Sequence, residues 1–155
     1  LGPGRWNTGS GQLFSRISKG LPFYTNGVTG YIDVRDVVKA MILLTNNHEI
    51  KNERFILNSQ NISYKEIFTE ISKGVGKKPP YIEIKPWMIS LAYPFITFFG
   101  FIIGKGAVIS YENLTSAFNS THYSSQKIIN KTSISFTPIS ESVRFIGEKY
   151  RKSLI

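Results

Sequence analysis

A chain of 155 residues, 41% of them hydrophobic, is long enough to bury one core, so it forms a single compact unit or part of a larger one. The absence of cysteine excludes disulfides, zinc-thiolate sites and thiol nucleophiles, and suits a reducing compartment such as the cytoplasm. The formal charge of +9 suits an anionic partner, but Lys and Arg are scattered from Arg5 to Lys152 among acids, with no basic face interleaved with stacking aromatics, which argues against nucleic acid.

Leu1 to Arg5 reads as a strand end and a tight Gly-Pro-Gly turn, where absent or fixed side chains let backbone approach a ligand closely. Trp6-Asn7-Thr8 leads into Gly-Ser-Gly, and Leu13, Phe14 and Ile17 give a short helix that Gly20 stops. Leu21 to Asn26 reads as extended and ends in the Asn26-Gly27 turn signal, which predicts hairpin-like pairing with a strand over Val28 to Ile32. Asp33 and Asp36 have the spacing of a capping box, which starts a helix near Val34. Val34, Val37, Val38, Met41 and Leu44 then form an apolar stripe, with Arg35 and Lys39 on another face, so the helix is expected to be buried along that stripe. A second apolar strand over Arg54 to Asn58 completes a candidate βαβ crossover. His48, in the polar loop between, has no acid or nucleophile at a recognisable spacing.

The next helix carries the clearest start signal: Ser63 as N-cap, Glu66 closing the box, and Ile62 stapled to Ile67. Ile67, Phe68 and Ile71 form its apolar side, Gly74 and Gly76 end it, and Lys77-Lys78-Pro79-Pro80 makes a stiff linker. Tyr81 to Lys85 alternates like a strand and stops at Pro86. Met88 to Gly104 has no charge and is flanked by Lys85 and Lys105; it is short for a membrane span and suits a core, dimer or substrate-lid helix, or peripheral membrane contact. Ser110 caps a helix through Phe118, a short helix surrounds Lys127, and Ile134 to Phe136 is strand-like. Thr137-Pro138 opens a final helix with the stripe Ile139, Val143, Ile146 and Tyr150.

Gly30 to Ala40, read Gly-Tyr-Ile-Asp-Val-Arg-Asp-Val-Val-Lys-Ala, resembles the late strand-to-helix motif of extended short-chain dehydrogenase/reductases, the family of NAD-dependent epimerase/dehydratases and dihydroflavonol reductases. Leu-Gly-Pro-Gly at the start, Asn52 to Asn58, the Ser-Tyr-Lys-Glu helix start and Tyr123-Ser124-Ser125 fall in that family's order, so the resemblance spans nearly the whole chain. It implies an α/β fold: the C-terminal part of a Rossmann-like NAD(P)-binding fold plus a small α+β substrate-binding lobe. Residues 1–155 are then the substrate-binding portion, and the nucleotide-binding N-terminal half is the missing partner. The resemblance places Gly2 and Pro3 near the nicotinamide end of NAD or NADP, and Trp6, Leu13, Phe14 and Tyr31 on the substrate side.

That family works through Tyr-x-x-x-Lys on one helix face. Tyr81 and Lys85 match the spacing, but in a strand, where about 3.3 Å per residue sets them roughly 13 Å apart. Tyr123 and Lys127 match it too, in the C-terminal region far from the catalytic helix, and both pairs are rejected. No glycine-rich turn lies between a strand and a helix, so this chain alone is expected to be inactive. Three functions remain open. The first is the substrate-binding half of an NAD(P)-dependent oxidoreductase acting on a small, mainly apolar carbonyl or alcohol, favoured because Thr29 stands where many sugar-nucleotide members place an Arg. The second is half of a nucleotide-sugar epimerase or dehydratase, using Arg5 or Arg16. The third is a non-enzymatic membrane- or partner-binding module. A homo-oligomer in the cytoplasm is the expected context.

Overall fold

The computed structural model describes residues 1–93 and 115–154 of a mixed α/β chain. In order, α1 (Gly11–Ser18), β1 (Phe23–Tyr24), β2 (Val28–Tyr31), α2 (Val34–Asn46), β3 (Gln60–Ser63), α3 (Tyr64–Val75), β4 (Ile82–Glu83), α4 (Gln126–Thr132) and α5 (Ile139–Lys152) are the named elements. Helical turns also cover 86–93; the rest of the uncharged run and the helix expected from Ser110 to 114 lie outside the described residues.

The core is a helix sandwich. Phe14 and Ile17 of α1, Ile67, Ile71 and Val75 of α3, and Ile139, Val143, Ile146 and Tyr150 of α5 form one buried cluster, so the stripe expected of the last helix is buried in full. Helices α3 and α5 approach closely at two glycines: a Cβ on Gly147 would lie 2.8 Å from the Gly74 carbonyl oxygen. Gly74 therefore does not end α3, as its sequence position suggested, but lies within it and makes room for α5. Gly76, in the left-handed region at φ 70°, is the residue that closes it. The Ser63–Glu66 capping box forms as expected, with Ser63 Oγ accepting from the Glu66 amide and Glu66 accepting from the Ser63 amide. At the other flank, the Tyr150 hydroxyl and Ser18 Oγ are 2.7 Å apart and latch α5 to α1.

Strand pairing differs from expectation. β2 pairs antiparallel with β3, Val28 opposite Ser63 and Tyr31 opposite Gln60, while β1 pairs parallel with β4. The segment before Asn26-Gly27 thus finds a partner far along the chain, not the adjacent strand. Arg54 to Asn58 is irregular, and the ladder forms over the next residues instead, antiparallel to β2, so the expected crossover from residues 28–32 to 54–58 does not form. Ile134 to Phe136 is likewise irregular, and the N-cap of α5 is Pro138 instead of Thr137.

The largest departure is α2. Its stripe does not face the core: Val34, Val38 and Met41 are 44, 49 and 61% exposed, Val37 and Leu44 are only half-buried, and the fully buried positions are Asp36 and Ala40. Asp33 caps the helix by accepting from the Arg35 amide at 2.8 Å, but Asp36 does not reach back to complete a box. It is bonded elsewhere, to the start of α5.

Candidate functional site

Of the expected site residues, Trp6, Leu13 and Tyr31 pack on the helix core that buries Phe14, while Gly2 lies against the start of α2. The Leu1 carbonyl accepts from the Val34 amide at 2.6 Å, which docks the opening turn on the first residue of α2. Gly2 fits there because it has no side chain, since a Cβ would lie 2.5 Å from Val34 Cγ1. Pro3 is exposed just beyond. The loop then places the Trp6 ring edge-on to Tyr150, with centroids 4.9 Å apart at 85°, and 6.3 Å from Phe14. Leu13 and Tyr31 join Trp6 as half-buried side chains packed on the same cluster, whereas Phe14 is fully buried inside it. Trp6, Leu13 and Tyr31 each present partly accessible apolar surface, and Phe14 supports Trp6 from beneath.

Tyr31 has the clearest electrostatics of this group. Burial, then the neighbouring Tyr64 phenol, raises the pKa of its hydroxyl above the ordinary tyrosine value, so it stays protonated over the working pH range. It can contact an apolar ligand and donate one hydrogen bond. It is not a phenolate base.

Beside it, two buried carboxylates tie α2 to α5. Asp36 accepts from the Thr137 amide at 2.6 Å, the Thr137 hydroxyl at 3.1 Å and Lys39 Nζ at 3.0 Å. Asp33 accepts from Arg35 Nε at 3.0 Å and Nη2 at 2.7 Å, and the same guanidinium lies 4.2 Å above the Phe145 ring of α5. Burial disfavours the charge on Asp33, but hydrogen bonds from Arg35 and Ser142 outweigh it and hold the carboxyl at about 2. For Asp36, burial is again opposed and overcome, here by Thr137 and Lys39, and its pKa is lowered. Because unfolded Asp33 titrates near 3.8, the unfolded chain takes up the proton first as pH falls. The Asp33 contribution is therefore full above about pH 4 and is lost on descending towards pH 2, amounting to about 2 kcal/mol. Urea titrations between neutral and acid pH should show that loss, and Asp33→Asn should flatten it.

These caps also limit what the turns into α2 and α3 can hold. A dinucleotide pyrophosphate needs free amides at a helix N-terminus after a strand. At the turns into α2 and α3, Asp33 takes the Arg35 amide and Ser63 takes the Glu66 amide, and each turn already carries a carboxylate. Neither fits a pyrophosphate. Among the described residues, no three His, Asp or Glu side chains gather into a metal-binding group.

The rejected Tyr–Lys pairs stay apart from any such chemistry. Tyr81 and Lys85 flank the extended β4. Tyr123 precedes α4, and Lys127 Nζ is bound to Glu53 at 3.0 Å and to the Arg54 carbonyl at 3.1 Å. Around Tyr123 a polar groove of about 450 Å³ is lined by Asn58, Asn61, His122 and Ser125. Asn58 and Asn61 both donate to the Tyr123 carbonyl, which clips this loop beside β3. A larger cleft of about 550 Å³ between α3 and α5, lined by Glu70, Lys73, Arg144, Glu148 and Arg151 among others, contains none of the expected residues and alternates in charge.

Sequence reasoning missed the outward face of α2 and the Asp36–Thr137 clip. The only signal for the clip was an acid at the helix position opposite the apolar stripe.

No family model and no curated protein matches the sequence. Solved structures share the fold. The crystal structure of gox2253 superposes at a TM-score of 0.75 and 22% identity, over 99% of this chain and 47% of that one. The Bordetella bronchiseptica enzyme WbmH, solved in complex with NAD+, superposes at 0.61 and 15% identity, over 99% of this chain and 44% of its own. The chain therefore spans about half the length of the structures it resembles, one of which binds NAD+.

Proposed function

We propose that this chain is the substrate-side portion of a longer NAD(P)-dependent oxidoreductase, cytoplasmic and oligomeric, that acts on a small, mainly apolar carbonyl or alcohol. The observation that carries the reading is the superposition of nearly the whole chain on just under half of an enzyme that holds NAD+. Two features agree with it. The apolar face of α2 points outward, and Phe55, Ile56 and Leu57, strand-like in composition, have no ladder partner among the described residues. A nucleotide-binding half that supplies further parallel strands would cover both. The dinucleotide's phosphates and the catalytic Tyr and Lys then belong to that half, in keeping with the capped starts of α2 and α3.

In this arrangement Trp6, Leu13 and Tyr31 shape the substrate pocket, and the Gly2–Pro3 turn borders the nicotinamide end. Phe14 acts through the position of Trp6. When bound, the cofactor supplies hydride transfer; this chain's part is to exclude water and orient an apolar ligand. In the longer enzyme, Trp6→Ala should raise KM for such a substrate about tenfold and leave kcat nearly unchanged, as expected for lost uniform binding. Steady-state kinetics over a panel of aliphatic and aromatic carbonyls tests this. Tight UDP- or dTDP-sugar binding that Trp6→Ala leaves unchanged would favour the nucleotide-sugar epimerase or dehydratase instead, with Arg5 or Arg16 as the phosphate contact.

A further inference from the structure

We propose that the stretch from Lys77 to Leu91, which exposes Tyr81, Trp87 and Leu91 and carries Lys77, Lys78 and Lys85, docks on an anionic lipid surface. The three large side chains are 77, 64 and 64% exposed, at or above the exposure of any apolar side chain on α2. Trp87 and Leu91 are one helical turn apart in the stretch 86–93 and so share a face. Tyr81, Glu83 and Lys85, in and on either side of β4, are exposed, while Ile82 and Ile84 are half-buried. Lys77, Lys78 and Tyr81 line one hollow of about 220 Å³, which places cations and an aromatic ring together.

Charge argues for lipid over a second protein. Lys77, Lys78 and Lys85 have no carboxylate partner among the described residues, and Glu83 is the one acid on their strand face. Trp and Tyr suit the headgroup boundary because each has an apolar ring and one polar hydrogen, and lysines beside them favour an anionic leaflet. The sequence continues without a charge from Pro86 to Gly104. Among the described residues no helix is long and apolar enough to cross a membrane; exposed Trp87 and Leu91 with lysines nearby in the chain suit contact at a lipid surface.

This proposal does not rest on the oxidoreductase reading. Co-sedimentation with phosphatidylcholine vesicles, with and without phosphatidylserine, tests it. The chain should sediment with the anionic vesicles and remain in solution with the neutral ones. The Trp87→Ala/Leu91→Ala pair should weaken binding at least tenfold. Lys77→Glu/Lys78→Glu should weaken it by about fivefold per charge, and high salt should do the same. Met41→Ser, on the other exposed apolar face, should change nothing, and circular dichroism confirms that each variant is folded. Wild-type protein that stays in the supernatant, or Trp87 and Leu91 variants that sediment like wild type, would overturn the proposal, as would loss of binding in Met41→Ser alone.

Discussion

Replacing Asp36 with alanine should destabilise the chain by about 3 kcal/mol, more than any substitution on the outward face of α2. Asp36 is fully buried and its carboxylate accepts three hydrogen bonds, two of them from Thr137 at the entry to α5. Removing it strands a part-buried backbone amide, and that unpaired donor costs more than the loss of the exposed Lys39 partner. Asp36→Asn keeps an acceptor for the amide and should cost about half as much. Val38→Ser removes a half-exposed methyl pair and should stay within about 0.5 kcal/mol. Urea denaturation of the three variants gives the order directly. Equal loss from Asp36→Ala and Val38→Ser would mean that the apolar stripe, not the acid, faces the interior.

Gly147→Val should cost about 3 kcal/mol, for a different reason. The added Cβ meets Gly74 backbone at 2.8 to 3.1 Å, and backbone in a packed helix cannot rotate aside as a side chain can. The helices must separate, which loosens Ile71, Val143 and Ile146 together. Gly74→Ala is the informative control, because its Cβ would meet its nearest neighbour, the Val143 carbonyl, at 3.3 Å, a contact relieved by a shift of a few tenths of an ångström. It should be near neutral once the helix propensity gained over glycine is counted. Thermal melts that rank the two variants the other way would place the close approach elsewhere along α5.

The periodicity of α5 was legible because its cover, α3, lies in the same chain and the two stripes meet. The pattern of α2 is as regular, yet it points outward. Period identifies an apolar face and says nothing about which polypeptide covers it. Asp36 was read as a cap from spacing alone, but its bonds go to Thr137, about a hundred residues away, and no local pattern encodes such a partner. Strand partners failed for the same reason: the Asn26-Gly27 signal describes a turn, whereas β1 pairs with β4 beyond α3. Around the candidate site, Trp6, Leu13 and Tyr31 all pack on the helix core, half-buried. Phe14 and Ile17, three apart on α1, follow the ordinary spacing of a core face, and that is where Phe14 lies.

The central claim is that substrate-side surface resides in this chain and dinucleotide binding resides outside it. Isothermal titration of NAD+ and NADP+ into a polypeptide of these 155 residues, in parallel with the longer protein proposed to contain it, tests that division directly. The account predicts no saturable binding by the 155 residues and micromolar binding of one cofactor by the longer protein. Saturable micromolar binding by the 155 residues alone would contradict it, since it would require a pyrophosphate site that the capped turns at Asp33 and Ser63 do not offer.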